Sequence, residues 1–453
     1  MALSESYEVR DPIHGLIRLT DLERRIIDTP TFQRLRRIRQ LALADLVYPG
    51  AHHSRFEHLL GTVHVAARIL QGLGRREQLS EDDIRRVRLA ALLHDVGHGP
   101  FSHVSEHLLD KYYDGSKVGS ASSREKIHEK VTIDIITKGA DLPKVLTPED
   151  KDGVVGILKE PTERSFLRDI VSSDLDADKM DYLLRDAYYA GVQYGHYDLE
   201  KVVEECRVER SGRESFLVVD QGGLFAVEQL VLAKHHMTQQ VYAHRVRTIT
   251  DLMIVRGLEL AIEADESIRR VFAYDGTEDH LTTYLTMDDA RISEAVIKSR
   301  SPEAAEIFRR LRDRRLFKEV SLIRLDEHDV PDVPTRRRLL NLSDDDRTQL
   351  EAKVADLIGC RPWEVVAYNK KVKNPAYQPP GGLGPEAIMI RSRRDGKLLS
   401  FNQFTEVVTA SFPSAERLHI IAPLDGDLMD SGRRQEMSKQ IEVLIFRHVG
   451  GHP

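Results

Sequence analysis

Apolar residues recur at intervals of three and four over long stretches of the chain, which is the pattern of helices that bury one face. The pattern starts near residue 21, returns over 59–66 and runs again from about 82 to 94. It also predicts one continuous helix from Leu224 to about Glu263. We therefore expect a mainly α fold.

Alternating runs typical of strands are short and few. Two lie within 202–220, around a Ser-Gly-Arg turn. The others follow Pro331, where proline and glycine become frequent, and they are 386–392, 397–401 and 417–424. The pattern predicts a helical core with small strand-containing insertions and a C-terminal α+β tail. We place the core in residues 1–330 and the smaller tail region in 331–453.

Composition narrows the class of protein. The 453 residues are 41% hydrophobic and 31% charged, as in ordinary globular proteins. Cys206 and Cys360 stand far apart in no metal-binding pattern, and no apolar run approaches the roughly 18 residues that span a bilayer. The start of the sequence carries no secretory signal pattern. We expect a cytoplasmic protein without a membrane partner.

Two arginine clusters, at 34–39 and 309–315, raise the alternative of a nucleic-acid-binding or sensing module. The net charge of −7 gives no overall attraction to nucleic acid, and aromatic residues for base stacking are not interleaved with the arginines. Solvated helix faces or subunit salt bridges are the simpler interpretation, which we prefer for 309–315.

The segment RLAALLHDVGHGPFSHVSEH (88–107) carries the densest chemistry of the chain. An apolar helical run ends at His94-Asp95, and glycines then interrupt it. Glycine lets the backbone turn sharply, so the helix end and the following loop can point at one cavity. Three more histidines come after the doublet, and these are His98, His103 and His107.

His58 and Asp178 complete a set of two histidines and two aspartates with His94 and Asp95. Such ligands suit Fe, Mn, Mg or Zn and leave positions open for water and substrate. A bound ion makes hydroxide near neutral pH and polarises a phosphoryl oxygen. The pattern favours a metal-dependent hydrolase over a histidine-rich structural helix, with phosphate esters as the preferred substrate class. The absence of GxxxxGK[ST] argues against a P-loop NTPase, and HVSEH is not the HExxH of metalloproteases.

Five segments together resemble the dNTP triphosphohydrolases of the HD phosphohydrolase superfamily. They are DPIHG (11–15), IIDTPTFQRLRRIRQL (26–41), SRFEHLLG (54–61), LLHDVGHGPFSH (92–103) and DADKMDYLLRD (176–186). The similarity is strong over roughly residues 7–250 and only general after that. It implies an HD-domain helical core in a homo-oligomer, a dimer or tetramer, that splits a dNTP into a deoxynucleoside and intact triphosphate.

The resemblance also implies roles for individual residues. The metal ligands would be His58, His94, Asp95 and Asp178, and the catalytic groups His103, His128 and Glu106. The nucleotide substrate would be held by Gln40, Leu41, Arg55, His98, Lys179, Tyr182, Asp186, Lys234 and Tyr242. A (d)NTP activator would be held by Asp28, Gln33, Arg36 and Arg207.

Two departures from the family pattern affect these expectations. Lys234 and Thr238 stand where the family has an arginine and a histidine, which changes the contacts to phosphate and base. Val219 and Gln221 stand where the activator site has basic residues. The alternative within the superfamily is a hydrolase of another nucleotide or of a phosphomonoester. Metal identity, base preference, activator and oligomer size stay open at this point.

Overall fold

The computed structural model describes residues 4–113, 126–159, 165–372, 388–405, 415–424 and 431–450, and helices predominate among them. The helices are Asp21–Ile27 (α1), Pro30–Arg34 (α2), Arg55–Gly74 (α3), Glu81–Leu93 (α4), His103–Tyr112 (α5), Ile127–Lys138 (α6), Leu142–Val145 (α7), Pro148–Leu158 (α8), Phe166–Val171 (α9), Ala177–Ala190 (α10), Leu199–Glu205 (α11), Leu224–Met237 (α12), Arg245–Ala264 (α13), Glu266–Phe272 (α14), Glu278–Leu285 (α15), Asp289–Ile297 (α16), Pro302–Arg312 (α17), Val333–Leu340 (α18), Asp344–Ile358 (α19) and Ser431–His448 (α20). The mainly α fold class is confirmed.

The strands are short, as the sequence predicts. They are Glu5–Asp11 (β1), Gly15–Thr20 (β2), Cys206–Ser211 (β3), Glu214–Asp220 (β4), Lys318–Arg324 (β5), Val366–Val372 (β6), Met389–Arg391 (β7), Leu398–Ser400 (β8) and Ala415–Ala422 (β9). They form a β1-β2 hairpin, a β3-β4-β7-β8 sheet and a β5-β9-β6 sheet. All strand pairs are antiparallel except β4-β7.

Contacts divide the chain into two discontinuous units, and the predicted boundary at residue 330 stays a prediction. The first unit is Met1–Val241, Glu266–Glu294 and Ala376–Ser411, and the second is Tyr242–Asp265, Ala295–Pro375 and Phe412–Pro453. Strands β7 and β8, predicted for the tail, extend the β3-β4 sheet of the first unit. Among the described residues, every helix is too short or too polar to cross a lipid bilayer.

The core of the first unit forms where α3 packs against α4 and α10. Helix α3 turns apolar residues inward along its length, and Leu59, Val63 and Ile69 are fully buried. Its start is fixed by a capping box, in which Glu57 accepts the N–H of Ser54 at 2.8 Å. This packing brings the first turns of α3 and α10 to the C-terminal end of α4.

The predicted continuous helix from Leu224 to about Glu263 is wrong. Helix α12 ends at Met237, a π-helical turn spans Thr238–Tyr242, and α13 starts at Arg245. The Thr238 hydroxyl donates back to the carbonyl of Lys234 at 2.7 Å, a local bond that competes with regular helix. Apolar periodicity alone cannot distinguish such a break from a continuous helix.

The second unit packs helices on one face of the β5-β9-β6 sheet. Its core includes Val354 of α19, Ile441 of α20 and Ile420 of β9, all fully buried. Because side chains alternate along a strand, Arg417 and His419 of β9 and Lys370 of β6 point to the other face.

Candidate active site

Three separate helix ends of the first unit supply the four predicted metal ligands. His58 lies in the first turn of α3, and the His94-Asp95 doublet follows the last residue of α4. Asp178 lies in the first turn of α10. The N-cap of that helix is Asp176, whose carboxylate accepts the N–H of Lys179 at 2.8 Å. The four residues come from three separate parts of the chain, and the packing of the helices brings them together.

The four side chains offer ligand atoms that all lie within 4.8 Å of one another. Asp178 Oδ1 is 2.9 Å from Nε2 of His58 and 3.5 Å from Nε2 of His94. Asp95 Oδ1 is 3.6 Å from Nε2 of His94. The structure thus brings together the set predicted from the sequence.

The tautomers of both histidines fit a metal centre. Nδ1 of His58 lies 2.8 Å from Asp181 Oδ2, and Nδ1 of His94 lies 2.9 Å from the carbonyl of Ala91. Both acceptors require a proton on Nδ1, which leaves a lone pair on Nε2. The two Nε2 atoms are buried and have no hydrogen-bond partner among the described residues. Lone pairs and carboxylates converging on one point fit a divalent cation.

The electrostatics of the cluster also fit a cation-binding site. Burial lowers the pKa of His58, but the carboxylates of Asp178 and Asp181 outweigh it and raise that pKa to about 10. Burial raises the pKa of Asp178, yet the two imidazoles hold it well below its usual value. The carboxylates therefore attract positive charge at neutral pH, and a proton or a metal ion can supply it.

Behind His58 lies a buried network that sequence reasoning missed. Asp181 also lies 2.7 Å from Nε2 of His14 and accepts two bonds of 2.9 Å from Arg185. Arg185 in turn donates to Asp11 at 2.8 Å. Arg185 and Asp181 are both fully buried. Two features of the sequence could have indicated this network. One is the DPIHG segment, and the other is the spacing of Asp181 and Arg185, three and seven residues after Asp178.

The three predicted catalytic groups form a second cluster around Glu106. Glu106 Oε1 contacts Nδ1 of His128 and lies 3.1 Å from Nδ1 of His103. The His128 ring stacks on that of His98 at 4.1 Å, and Nε2 of His98 is 3.4 Å from Asp95 Oδ1. The cluster is therefore continuous with the metal ligands.

The titration of this cluster is set by burial and by its own charges. Burial, Arg55 and His128 hold the pKa of His98 well below its usual value, so His98 is neutral at pH 7. Burial raises the pKa of Glu106, but the neighbouring histidines lower that pKa by a larger amount, so the carboxylate is ionised.

Arg55 is held by a strained turn. Its guanidinium contacts Asp95, and its Nε donates to the Ser102 hydroxyl at 2.8 Å. Phe101 and Ser102 have φ of 61° and 54°, a left-handed conformation unusual for such residues and common at functional sites. Nη2 of Arg55 is buried without a hydrogen-bond partner among the described residues, as is Oε1 of Gln40. Both are polar atoms that a substrate could satisfy.

The chain turns at the glycines of this segment without using their left-handed conformation. Phe101 and Ser102, and neither Gly97 nor Gly99, adopt positive φ. Gly97 is instead required for close approach, because a Cβ there would lie 2.5 Å from the carbonyl oxygen of His128. The missing side chain lets α6 come near enough to place His128.

The predicted substrate residues of α10 and α12 lie near the Asp178 end of the site. The Lys179 ammonium donates to Asp176 Oδ2 and to the carbonyl of Ser173, both at 2.7 Å. Burial and the neighbouring Lys179 lower the pKa of Lys234, whose Nζ is 4.0 Å from Asp174.

Other predicted substrate residues have different surroundings. The Tyr182 ring lies 6.4 Å from that of His58, and Leu41 is buried. Asp186 Oδ1 lies 2.7 Å from Nε2 of His53, a partner the sequence did not indicate. Tyr242 belongs to the second unit, so its predicted role stays a prediction.

The predicted activator residues form local pairs. Gln33 accepts from Nε of Arg36 at 2.8 Å, and Arg36 stacks on Phe56. Asp28 accepts from Arg24 at 2.8 Å. Arg207, on β3, lies 2.7 Å from Asp220.

Comparison with known proteins identifies the family. Residues 55–186 match the HD domain, and residues 197–376 match the HD associated region. The chain belongs to the HD phosphohydrolase superfamily, which implies a divalent metal at the cluster described above.

Individual relatives support this assignment. The chain is 36% identical over 264 residues to the uncharacterized protein YwfO of Bacillus subtilis, covering 57% of each protein. It is 32% identical over 353 residues to human deoxynucleoside triphosphate triphosphohydrolase SAMHD1, covering 69% of this chain and 54% of the human protein. The chain thus spans about half the length of these curated relatives. A phosphohydrolase from Bacteroides thetaiotaomicron shares the fold, with a TM-score of 0.71 at 23% identity, over 92% of this chain and 99% of that one.

Proposed function

We propose that this protein is a metal-dependent dNTP triphosphohydrolase, which adds water to a dNTP and releases a deoxynucleoside and inorganic triphosphate. The observation that carries the proposal is the convergence of two histidine lone pairs and two carboxylates beside a buried, partly unpaired Arg55. The similarity to proteins named deoxynucleoside triphosphate triphosphohydrolase supports the substrate class.

The proposed metal ligands are His58, His94, Asp95 and Asp178. A bound divalent ion would supply Lewis acidity and an activated water. Asp181 and the carbonyl of Ala91 fix the proton on the far nitrogen of each imidazole, which keeps Nε2 ready to coordinate.

The proposed proton-transfer groups are His103, His128 and Glu106. His103 is exposed and linked to Glu106 at 3.1 Å, so it can deliver a proton to a leaving oxygen while Glu106 stabilises its cationic form. His128 contacts the same carboxylate from the buried side. One ionised acid therefore orients both rings.

The proposed substrate contacts surround the ligands. Arg55 and His98 would meet the phosphates nearest to Asp95, and the two lysines on the Asp178 side would meet the remainder. Sugar and base would be met by the other predicted residues, which are Gln40, Leu41, Tyr182, Asp186 and Tyr242.

Activation by a (d)NTP at an interface between subunits of a dimer or tetramer is part of the proposal. Asp28, Gln33, Arg36 and Arg207 would read the activator. The pairing of Gln33 with Arg36 supports a joint role, because one side chain orients the other.

The experiment is a product assay. Purified protein is incubated with each dNTP, alone and in pairs, with Mn²⁺ or Mg²⁺, and inorganic triphosphate and deoxynucleoside are measured. Equal amounts of the two products are expected. Release of pyrophosphate, or of phosphate only, would contradict the proposal.

One observation favours a second candidate, a hydrolase of another nucleotide or of a phosphomonoester. Thr238 uses its hydroxyl on the carbonyl of Lys234, so it replaces the family's histidine without offering that donor to a base. The same assay with nucleoside monophosphates and p-nitrophenyl phosphate distinguishes the two, because only the second candidate releases orthophosphate from them.

A further inference from the structure

The second unit contains a concentration of positive charge on the sheet face opposite its helical core. Lys370 of β6 pairs with Arg417 of β9, and Arg417 pairs with Arg324 of β5. Directly opposed residues on antiparallel strands point to the same face, with Cβ atoms about 5 Å apart. Three cations therefore form one row across three adjacent strands. Like charges in such a row are destabilising unless an anion lies among them.

The start of α13 adds a fourth cation to this row. The Lys370 ammonium donates to the Thr248 hydroxyl, which ties the row to the first turn of α13. Arg247, the neighbour of Thr248, is only 8% exposed. The positive charges of Arg247 and Arg417 both lower the pKa of Lys370.

Buried guanidinium nitrogens in this cluster have no hydrogen-bond partner. Among the described residues, Nε and Nη1 of Arg247 and Nε of Arg417 are buried and make no hydrogen bond. The nearest carboxylate to Arg247 is Asp251, whose Oδ2 is 3.8 Å from Nε, beyond hydrogen-bonding distance. Unsatisfied buried N–H groups of charged side chains are costly, so a ligand that accepts these bonds would be strongly favoured.

Charge balance points to an anion. Among the described residues, Asp251 contributes one carboxylate against Arg247, Lys370 and Arg417, and Glu319 of β5 is occupied by His419 at 2.7 Å. Burial, reinforced by Arg247 and Arg417, lowers the pKa of Lys370 to about 8 despite Asp251, as expected where positive charge is in excess.

We propose that Arg247, Lys370 and Arg417 form a binding site for a phosphate group, borne by free inorganic phosphate species or by a nucleotide. Two guanidinium groups offer forked donors that match phosphate oxygens, and the ammonium adds a mobile charge. Arg324, which is exposed, lies beside Arg417 at the β5 end of the row. The site lies wholly in the second unit and contains none of the residues proposed to bind metal or substrate, so its test is separate from that of the proposed activity.

The test uses calorimetry and thermal melting of the whole protein with phosphate, tripolyphosphate, dAMP and, as a phosphate-free control, deoxyadenosine. Trp363 is the single tryptophan and lies in the second unit, so its fluorescence reports melting of that unit. The variants are Arg417→Gln and Lys370→Met. The matched control is Lys353→Met, which removes an exposed cation from α19 on the other side of the sheet.

Wild type and Lys353→Met should bind the phosphate-bearing probes equally, and both site variants should bind at least about tenfold more weakly. Without ligand, the site variants should melt at or above the wild-type temperature, because repulsion is relieved. Binding of dAMP about tenfold tighter than phosphate would identify a nucleotide as the source, and equal binding would identify free phosphate. Unchanged binding in the site variants, or no binding by any probe, would overturn the proposal. Site variants that melt below wild type without ligand while keeping the full ligand response would show a purely structural cluster, and would overturn it too.

Discussion

Asp181 holds the imidazole of His58 from the side opposite the candidate metal position, with 2.8 Å between Oδ2 and Nδ1. The bond fixes which nitrogen carries the proton, and so decides whether Nε2 can coordinate a cation. Asp181 is not among the proposed metal ligands, yet it determines whether His58 can act as one.

Asp181→Asn should weaken metal binding about 10- to 100-fold while the four ligands remain. The amide keeps the size of the side chain but loses the charge that favours a proton on Nδ1. Because buried Arg185 loses half of its counter-charge, the melting temperature should also fall. Metal titration by calorimetry measures the effect. The control is Asp198→Asn, the same chemical change at the cap of α11, where asparagine is an equally good cap. Equal metal affinity in the two variants would show that Asp181 has no part in ligand orientation.

His94→Ala and His103→Ala should separate metal binding from turnover. Removing His94 deletes one of the four convergent donors, so both metal content and activity should be lost. Removing His103 should lower turnover about 100-fold or more with metal content unchanged, because it faces Glu106 outside the ligand set. Elemental analysis of the purified variants and the triphosphate assay give the two readouts. Metal loss in the His103 variant would place that residue among the ligands.

Gly97→Ala should displace α6 and lower activity together with stability. The added methyl would lie 2.5 Å from both the carbonyl oxygen of His128 and the N–H nitrogen of Thr132, so backbone must move. The cost should be about 1–3 kcal/mol in the free energy of unfolding. Gly156→Ala is the control, since nothing lies within 4 Å of its added Cβ inside α8. That change should stabilise by about 0.5–1 kcal/mol. Denaturant unfolding measures both, and equal effects would disprove the close-approach argument.

Asp289 should impose an acid-side pH dependence on stability. Burial raises its pKa from 3.8 to about 6, although the N–H groups of Arg39 and Phe101, which donate to it at 3.0 and 2.7 Å, act in the opposite direction. Between pH 3.8 and 6 the folded state therefore keeps a proton that the unfolded state has lost. Stability contributed by this group is present below pH 3.8 and falls as pH rises to 6, by about 3 kcal/mol at most.

Asp289→Asn removes this titration. Urea unfolding of wild type and variant should give a stability difference that changes between pH 4 and 6 and is level above pH 7. Parallel curves over the whole range would contradict the raised pKa.

The sequence indicated four residues that the structure brings together, because they stand out by type and spacing. His94 and Asp95 end a clear amphipathic helix, and Asp178 begins another. The network behind His58 was missed because Asp181 and Arg185 face the core, where periodicity predicts apolar residues. Only the packing of α3 on α10 shows that these charges neutralise one another.

Backbone detail was equally hard to predict. Apolar periodicity does not distinguish the π-helical turn at Thr238–Tyr242 from regular helix. The positive φ of Ser102 occurs where its hydroxyl accepts from Arg55, which lies 47 residues away in the chain. The contact between Ser102 and Arg55 forms only when the chain has folded. Residue type alone located the turn at the glycines but could not show that Gly97 is needed for the close approach of α6.

Asp178 and Asp181 lie about one turn apart on α10, yet they contact opposite nitrogens of one ring on α3. His58 and Asp178 are 120 residues apart in the chain, so neither ring nitrogen finds its partner until these two helices have docked. Metal uptake should therefore be among the last events of folding. It offers a direct kinetic probe of long-range assembly: a refolding protein should gain its helical signal first and its capacity to capture a cation only afterwards.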